Sequence, residues 1–394
     1  MKAAVWHGKR DVRVDEVPDP TIQDPTDAIV RITSTGLCGS DLHLYEPLAP
    51  FMQEGDILGH EPMGIVEEVG ARVANLAKGD RVVIPFQIAC GSCFMCDRGL
   101  QTQCETTQVR EQGKGAPLYG YTKLYGQVPG AQAEYLRVPH ADYNPIKVPD
   151  GPSDDRFVYL SDVLPTAWQG VEYAEIPEGG TVAVVGVGPI GDMASRIARH
   201  RGHRVIAIDL IPERLERVRA FGAETIDLTE HGKGGLGDVV RSMTEGRGVD
   251  SVIDAVGLEA HGSPVGKVAQ QMVGLLPDAV AEKVMQKGGL DRMAALYSAI
   301  DMVRRGGTIS LSGLYGGTAD PMDMLTLFDK QISLRMGQAN VKRWVDDIIP
   351  LLTDEDPLGV ESFATHRLPL NEAPKAYDMF QQKTDGVCKV VFTP

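Results

Sequence analysis

From residue 181 onward the chain alternates between two textures, and that alternation constrains the fold more than any other feature. TVAVVGVG (181–188) is apolar almost throughout, and PIGDMASRIARHRG follows it with helical spacing. RVIAIDL is a second apolar run, PERLERVRAFG a second amphipathic one, and DSVIDAVG and GTISLSG are two further apolar runs. Strands without polar alternation must bury both faces. Interleaved with amphipathic helices, they predict a parallel sheet covered on both sides. Residues 1–150 have a different texture. KAAVW, AIVRIT, GIVEEVG, DRVVIP and AEYLRVP are short β-like runs separated by Gly and Pro, the pattern of a compact β-rich domain.

Between these regions, FVYLSDVLPTAWQGVEYAE (157–175) predicts a helical passage broken or kinked near Pro165. The chain ends in VCKVVFTP, a strand able to rejoin the first domain, and 394 residues suffice for two domains with sizeable cores. The division expected is 1–162 completed by 342–394, and 163–341. The segment 258–305 exceeds one crossover helix and contains the amphipathic run VAQQMVGLLPDAVAEKVMQ. It reads as a helical insertion, either an extra surface pair or a lid or subunit contact.

GVGPIG (186–191) matches G-x-G-x-x-G. It follows a strand, opens a helix, and is followed by Asp209 eighteen residues beyond Gly191, which together form a dinucleotide-binding fingerprint. Gly186 would make the tight turn, Gly188 admit the pyrophosphate, and Gly191 allow close helix–strand packing. Pro189 and Ile190 open the helix whose free N–H groups face the diphosphate. Asp209 would accept from the adenosine ribose hydroxyls and repel a 2′-phosphate, and Leu210 beside it offers no compensating cation. These residues favour NAD over NADP. Arg214 and Lys389 are candidate contacts to the ribose or phosphates, an exposed basic side chain being the plainer reading of each.

Four of the six cysteines fall in CGSCFMCDRGLQTQC (90–104), spaced C-x2-C-x2-C-x7-C. Three polar pieces lie elsewhere: GLCGSDLH with Cys38, Ser40, Asp41 and His43; GHEPMG with His60 and Glu61; and LSDVLPT with Asp162. Singly, each has a structural explanation: a core cysteine, a hydrogen-bonded histidine, a helix cap supplied by Asp162 or Ser161. Together, Cys38, His60 and Asp162 make the three-ligand set of a catalytic zinc, with an open position for substrate. Phe86 and Trp168 are candidate pocket walls or plain core.

The net charge of −15 argues against nucleic acid or an anionic membrane as partner. No apolar run is long enough to span a bilayer, and the first residues lack a signal-peptide core. The cytoplasm is therefore the expected compartment. There cysteines stay reduced, which makes disulfides the weaker reading of 90–104.

GLCGSDLH, GHEPMGIVEEVG, the four-cysteine lobe, the D-x-x-x-T passage and GVGPIG occur in one order over nearly the whole chain. In this the sequence resembles the zinc-dependent medium-chain alcohol dehydrogenases. The resemblance implies an α/β fold class: a GroES-like β-rich catalytic domain plus a Rossmann domain with a doubly wound parallel sheet. Asp162 within LSDVLPTAW makes it most similar to the branch holding glutathione-independent formaldehyde dehydrogenase and formaldehyde dismutase, although the insertion here is long and helical.

The implied activity is hydride transfer between an alcohol, or a hydrated aldehyde, and NAD. The resemblance gives Ser40 the substrate oxygen as hydrogen-bond partner and His43 the onward passage of the proton, with Glu61 either orienting the site or binding zinc transiently. It implies two zinc ions per chain, the second closed within Cys90, Cys93, Cys96 and Cys104, where spacing alone also admits an iron–sulfur cluster. A homodimer or homotetramer is expected. The alternatives are a dismutase that retains its NAD, a redox-inactive binding homologue, and a cysteine redox sensor. Cys388, the remaining cysteine, reads as strand packing.

Overall fold

The computed structural model describes residues 1–231, 235–257, 293–315 and 322–394. Most of the expected insertion at 258–305 lies outside the described residues. Its described end holds helix Ala294–Met302 and the start of strand Val303–Leu311.

The chain divides into two units, Met1–Pro165 with Ala339–Pro394, and Thr166–Gln338. In the first, a seven-stranded sheet runs in the order His366–Pro369, Val390–Thr393, Ala28–Leu37, Glu61–Val69, Arg81–Val83, Ile146–Lys147, with Tyr135–Val138 also pairing to Ala28–Leu37. The C-terminal strand is thus antiparallel to Ala28–Leu37, with Val390 opposite Leu37. Val30, Ile32, Val66, Val82, Ile84, Leu136 and Val138 alternate inward from these strands to form its core. Lys2–Gly8 and Asp11–Glu16 pair as a separate hairpin.

The second unit carries a six-stranded sheet in the order Glu224–Asp227, Arg204–Asp209, Thr181–Val185, Val249–Asp254, Val303–Leu311, Ser333–Met336. Every pairing in it is parallel. In chain order this is 3-2-1-4-5-6, the doubly wound order, whose direction of winding reverses between Thr181–Val185 and Val249–Asp254. The unbroken apolar character of these strands has the cause expected: Ala183, Ile206, Val252 and Ile309 are fully buried.

The helical passage departs from expectation at Pro165. A short 3-10 turn, Val158–Ser161, ends at Asp162, and helix Val163–Ala174 starts immediately after it. Pro165 sits in the first turn, where backbone N–H groups have no intrahelical partner, so it breaks nothing. The Ser161 hydroxyl donates back to Val158 C=O at 2.5 Å, within the 3-10 turn.

Candidate active site

The three polar pieces converge in the first unit. Cys38 follows strand Ala28–Leu37 and precedes helix Gly39–Tyr45, His60 precedes strand Glu61–Val69, and Asp162 lies between its 3-10 turn and the next helix. One donor atom each from Cys38, His60, Glu61 and Asp162 lies within 4.8 Å of the other three, and all four residues are buried. Cys38 Sγ is 3.6 Å and His60 Nε2 3.3 Å from Asp162 Oδ2. A tetrahedral zinc with bonds of about 2.0–2.3 Å holds its ligand atoms about 3.3–3.8 Å apart, so this spacing fits the ion.

The electrostatics fit it too. Burial, then Asp162 and Glu61, push the Cys38 thiol up to about 11. Burial works against a charged His60, but Asp41, Asp162 and Cys38 outweigh it and hold the imidazole well above its ordinary value. A thiol, an imidazole and carboxylates that share protons in a buried cluster are what a divalent ion would bind, since metal binding takes the deprotonated ligands and releases their protons.

His60 is fixed from behind by a residue whose role the sequence did not reveal. Asp41 Oδ1 lies 3.0 Å from His60 Nδ1, while its other oxygen accepts from Cys38 N–H at 2.9 Å. Gln132 donates to Asp41 at 3.4 Å and accepts from the Tyr377 hydroxyl at 2.9 Å. A carboxylate at Nδ1 leaves the Nε2 lone pair free for a metal. Ser40 Oγ stands 3.2 Å from that Nε2. His43 lies three residues along the same short helix and is buried. Phe86 and Tyr121 present their ring planes nearly perpendicular to His60, with centroids at 6.4 and 6.5 Å, and screen it from water.

The cysteine lobe is a second group. Cys90, Cys93, Cys96 and Cys104 bring four sulfurs within 4.8 Å of one another. Cys93 Sγ and Cys104 Sγ are 3.9 Å apart, the edge of a ZnS4 tetrahedron and far beyond a disulfide bond. All six cysteines are free. Backbone N–H groups point at the sulfurs, Cys90 N–H to Cys104 at 3.4 Å and Glu105 N–H to Cys93 at 3.3 Å. Desolvation opposes ionisation at Cys93, but N–H groups, among them those of Cys96 and Glu105, lower it to about 6.

In the second unit Gly186 has φ +79°, a left-handed turn that a side chain would strain. At Gly191 a Cβ would meet Gly186 O at 1.8 Å, so only glycine lets the helix start this close to the strand. Pro189 opens helix Pro189–His200. Asp209 ends its strand and accepts from Val187 N–H at 2.7 Å and from Leu210 and Ile211 N–H at 2.6 and 3.0 Å. Arg214 Nη1 is 3.4 Å from the place a Gly188 Cβ would take, so the guanidinium lies over the glycine loop.

Two family models match: the alcohol dehydrogenase GroES-like domain over residues 24–150, and the zinc-binding dehydrogenase domain over 189–274. The uncharacterized zinc-type alcohol dehydrogenase-like protein AdhB of Bacillus subtilis is 39% identical over the full length of both chains. The chain belongs to the zinc-type alcohol dehydrogenases. Among solved structures, alcohol dehydrogenase TADH from Thermus sp. ATN1 superposes with a TM-score of 0.82 at 37% identity, covering 100% of this chain and 99% of that one. Formaldehyde dismutase of Pseudomonas putida is 31% identical, covering 97% of this chain and 95% of its own.

Within this zinc-type dehydrogenase, Lys389 departs from the reading as an exposed base. It is fully buried in the first unit and donates to Glu61 Oε2, and to Leu37 C=O at 3.1 Å. Arg214 is likewise buried, not exposed. Trp168, in the second unit, lies under the Arg201 guanidinium at 4.2 Å, and Cys388 is fully buried. Asp41 carries a local signal for its role: an acid three residues after a candidate ligand, in the first turn of a helix.

Proposed function

We propose that this chain is an NAD-dependent zinc alcohol dehydrogenase, moving a hydride between an alcohol or hydrated aldehyde and NAD, with Cys38, His60 and Asp162 as ligands of the catalytic metal. The observation that carries this reading is the buried cluster of those three side chains at tetrahedral spacing. When bound, zinc supplies Lewis-acid polarisation of the substrate oxygen and NAD supplies the hydride acceptor.

The chain's own residues do the rest. Asp41 holds the His60 tautomer. Ser40, 3.2 Å from His60 Nε2, is placed to take a proton from a hydroxyl arriving among the donors. His43, one helical turn on, passes it outward, a task suited to an imidazole. Phe86 and Tyr121 keep the site dry, so that charge on the substrate oxygen is stabilised by the site and not by water. Gly186, Gly188, Pro189, Ile190 and Gly191 form the pyrophosphate seat, Arg214 covers it, and Asp209 takes the ribose hydroxyls of NAD. Cys90, Cys93, Cys96 and Cys104 hold a structural zinc with no position left for substrate.

Likeness to formaldehyde dismutase supports one further reading: an enzyme that keeps its NAD and converts aldehyde to alcohol and acid without added cofactor. We also infer a homo-oligomer, dimer or tetramer. Among the described residues the strand Ser333–Met336 ends its sheet, and Met336 and, on helix Met324–Lys330, Met324, Leu325 and Phe328 (84%) are exposed. A reducing cytoplasm suits six free cysteines.

The test is NADH absorbance with purified protein, NAD and a panel of primary alcohols and hydrated aldehydes. Asp162→Ala should abolish turnover while NAD binding survives, as cofactor fluorescence would show. Near-normal activity in that variant would remove Asp162 from the ligand set, and no turnover by the parent on any alcohol or aldehyde would sink the enzyme reading. Sedimentation velocity reads the oligomeric state.

A further inference from the structure

Glu61 and Lys389, charged residues with no exposed surface, stand beside the proposed ligands, yet the reaction above uses neither. Strand register explains their meeting. Glu61 pairs with Gly36, and Val390 pairs with Leu37, so three adjacent strands carry Glu61, Gly36–Leu37 and Lys389–Val390 side by side. Lys389 Nζ donates to Glu61 Oε2 and to Leu37 C=O. The Glu61 side chain reaches it by lying across Gly36, where a Cβ would stand 2.1 Å from Oε2.

The other carboxylate oxygen, Oε1, is buried and has no hydrogen-bond partner among the described residues. A buried carboxylate oxygen without a partner is costly, and a nearby metal is the strongest partner on offer. A Glu61 oxygen already lies within 4.8 Å of the donor atoms of Cys38, His60 and Asp162. If it bound, four protein ligands would close the site to substrate. Charge argues against that outcome while Lys389 is present. The Cys38 thiolate and Asp162 carboxylate already match a divalent ion, and Lys389 supplies the cation that a third anion needs.

We propose that Lys389 is a positioning residue which, with the bed left open by Gly36, holds Glu61 off the catalytic metal and keeps the fourth coordination position free. This rests on the reading of Cys38, His60 and Asp162 as ligands. Losing the ammonium, or filling the bed with a methyl group, sends Glu61 to the metal.

The experiment uses the full chain loaded with cobalt(II), titrated with imidazole as a ligand for the open position and followed by visible absorption. The parent's spectrum should change saturably. In Lys389→Met and in Gly36→Ala, which keeps every charge, the imidazole concentration needed should rise about 10–100-fold. Adding Glu61→Gln to either variant should restore the parent titration, since the amide is a poor rival for the metal. Unchanged titrations in the single variants overturn the proposal and leave the ligand reading standing. A parent spectrum that ignores imidazole overturns the ligand reading, and the proposal with it.

Discussion

A carboxylate behind a metal-binding histidine acts by geometry and charge at once, and Asp41 is placed for both. Its oxygens face His60 Nδ1 and Cys38 N–H, and it is itself held by Gln132. Asp41→Asn keeps the shape and removes the charge. It should lower catalytic-metal affinity about 10–100-fold and reduce kcat more than KM, while the cysteine lobe keeps its metal. Metal analysis after dialysis against graded chelator, alongside steady-state kinetics, checks this; equal loss from both centres would point to general destabilisation instead. At this scale the sequence was uneven. Cys38, His60 and Asp162 stood out because thiol, imidazole and carboxylate are unusual in otherwise apolar or Gly-rich pieces. The partnership of Glu61 with Lys389 was not legible, because the two are 328 positions apart and meet only through the register of three strands. Lys389 looked like a surface base because nothing in CKVVFTP announces that its strand is buried on both sides.

At the level of elements, the cysteine lobe and the returning chain support each other. Asn340 Oδ1 accepts from both the N–H and the hydroxyl of Thr102 at 3.0 Å, just before the last lobe cysteine. Lys342 Nζ donates to Pro145 C=O at 3.1 Å and lies 5.3 Å from the Tyr143 ring centroid, and the Arg343 stem packs on Gly99. Asn340→Ala would leave the buried Thr102 N–H without an acceptor, a loss of about 1–3 kcal/mol. A lower urea midpoint with an unchanged slope would show it. Selective removal of the lobe metal should, by the same contacts, speed amide exchange in helix Val341–Ile348 before it affects the parallel sheet. The strands and helices of that sheet were legible because each is periodic and long enough to state its own burial. The lobe's grip on 340–343 was not, since it consists of single side chains meeting irregular loop backbone.

In chain order the second unit is continuous and interrupts the first. Thr166–Gln338 holds the glycine loop and its sheet in one stretch of chain, whereas the first unit is assembled from Met1–Pro165 and Ala339–Pro394. Both parts of the first unit meet at its metal-binding group, since Val390–Thr393 lies between His366–Pro369 and Ala28–Leu37, the strand just before Cys38, and Lys389 donates to Glu61. Deleting residues 389–394 therefore removes an interior strand and the cation facing Glu61, and opens the backbone of Ala28–Leu37 along one edge. The two metal-binding groups should respond differently: the group at Cys38 should lose its ion, while the group at Cys90 retains one. Because the second unit's fold is continuous, ADP-ribose, which probes the dinucleotide site without needing the metal, should still bind the truncated chain. Isothermal titration with ADP-ribose, together with zinc analysis, separates these effects. Zinc content equal to that of the intact chain would show that the C-terminal strand is dispensable to the metal centre; loss of ADP-ribose binding would show that the continuous unit depends on the completed sheet of the first.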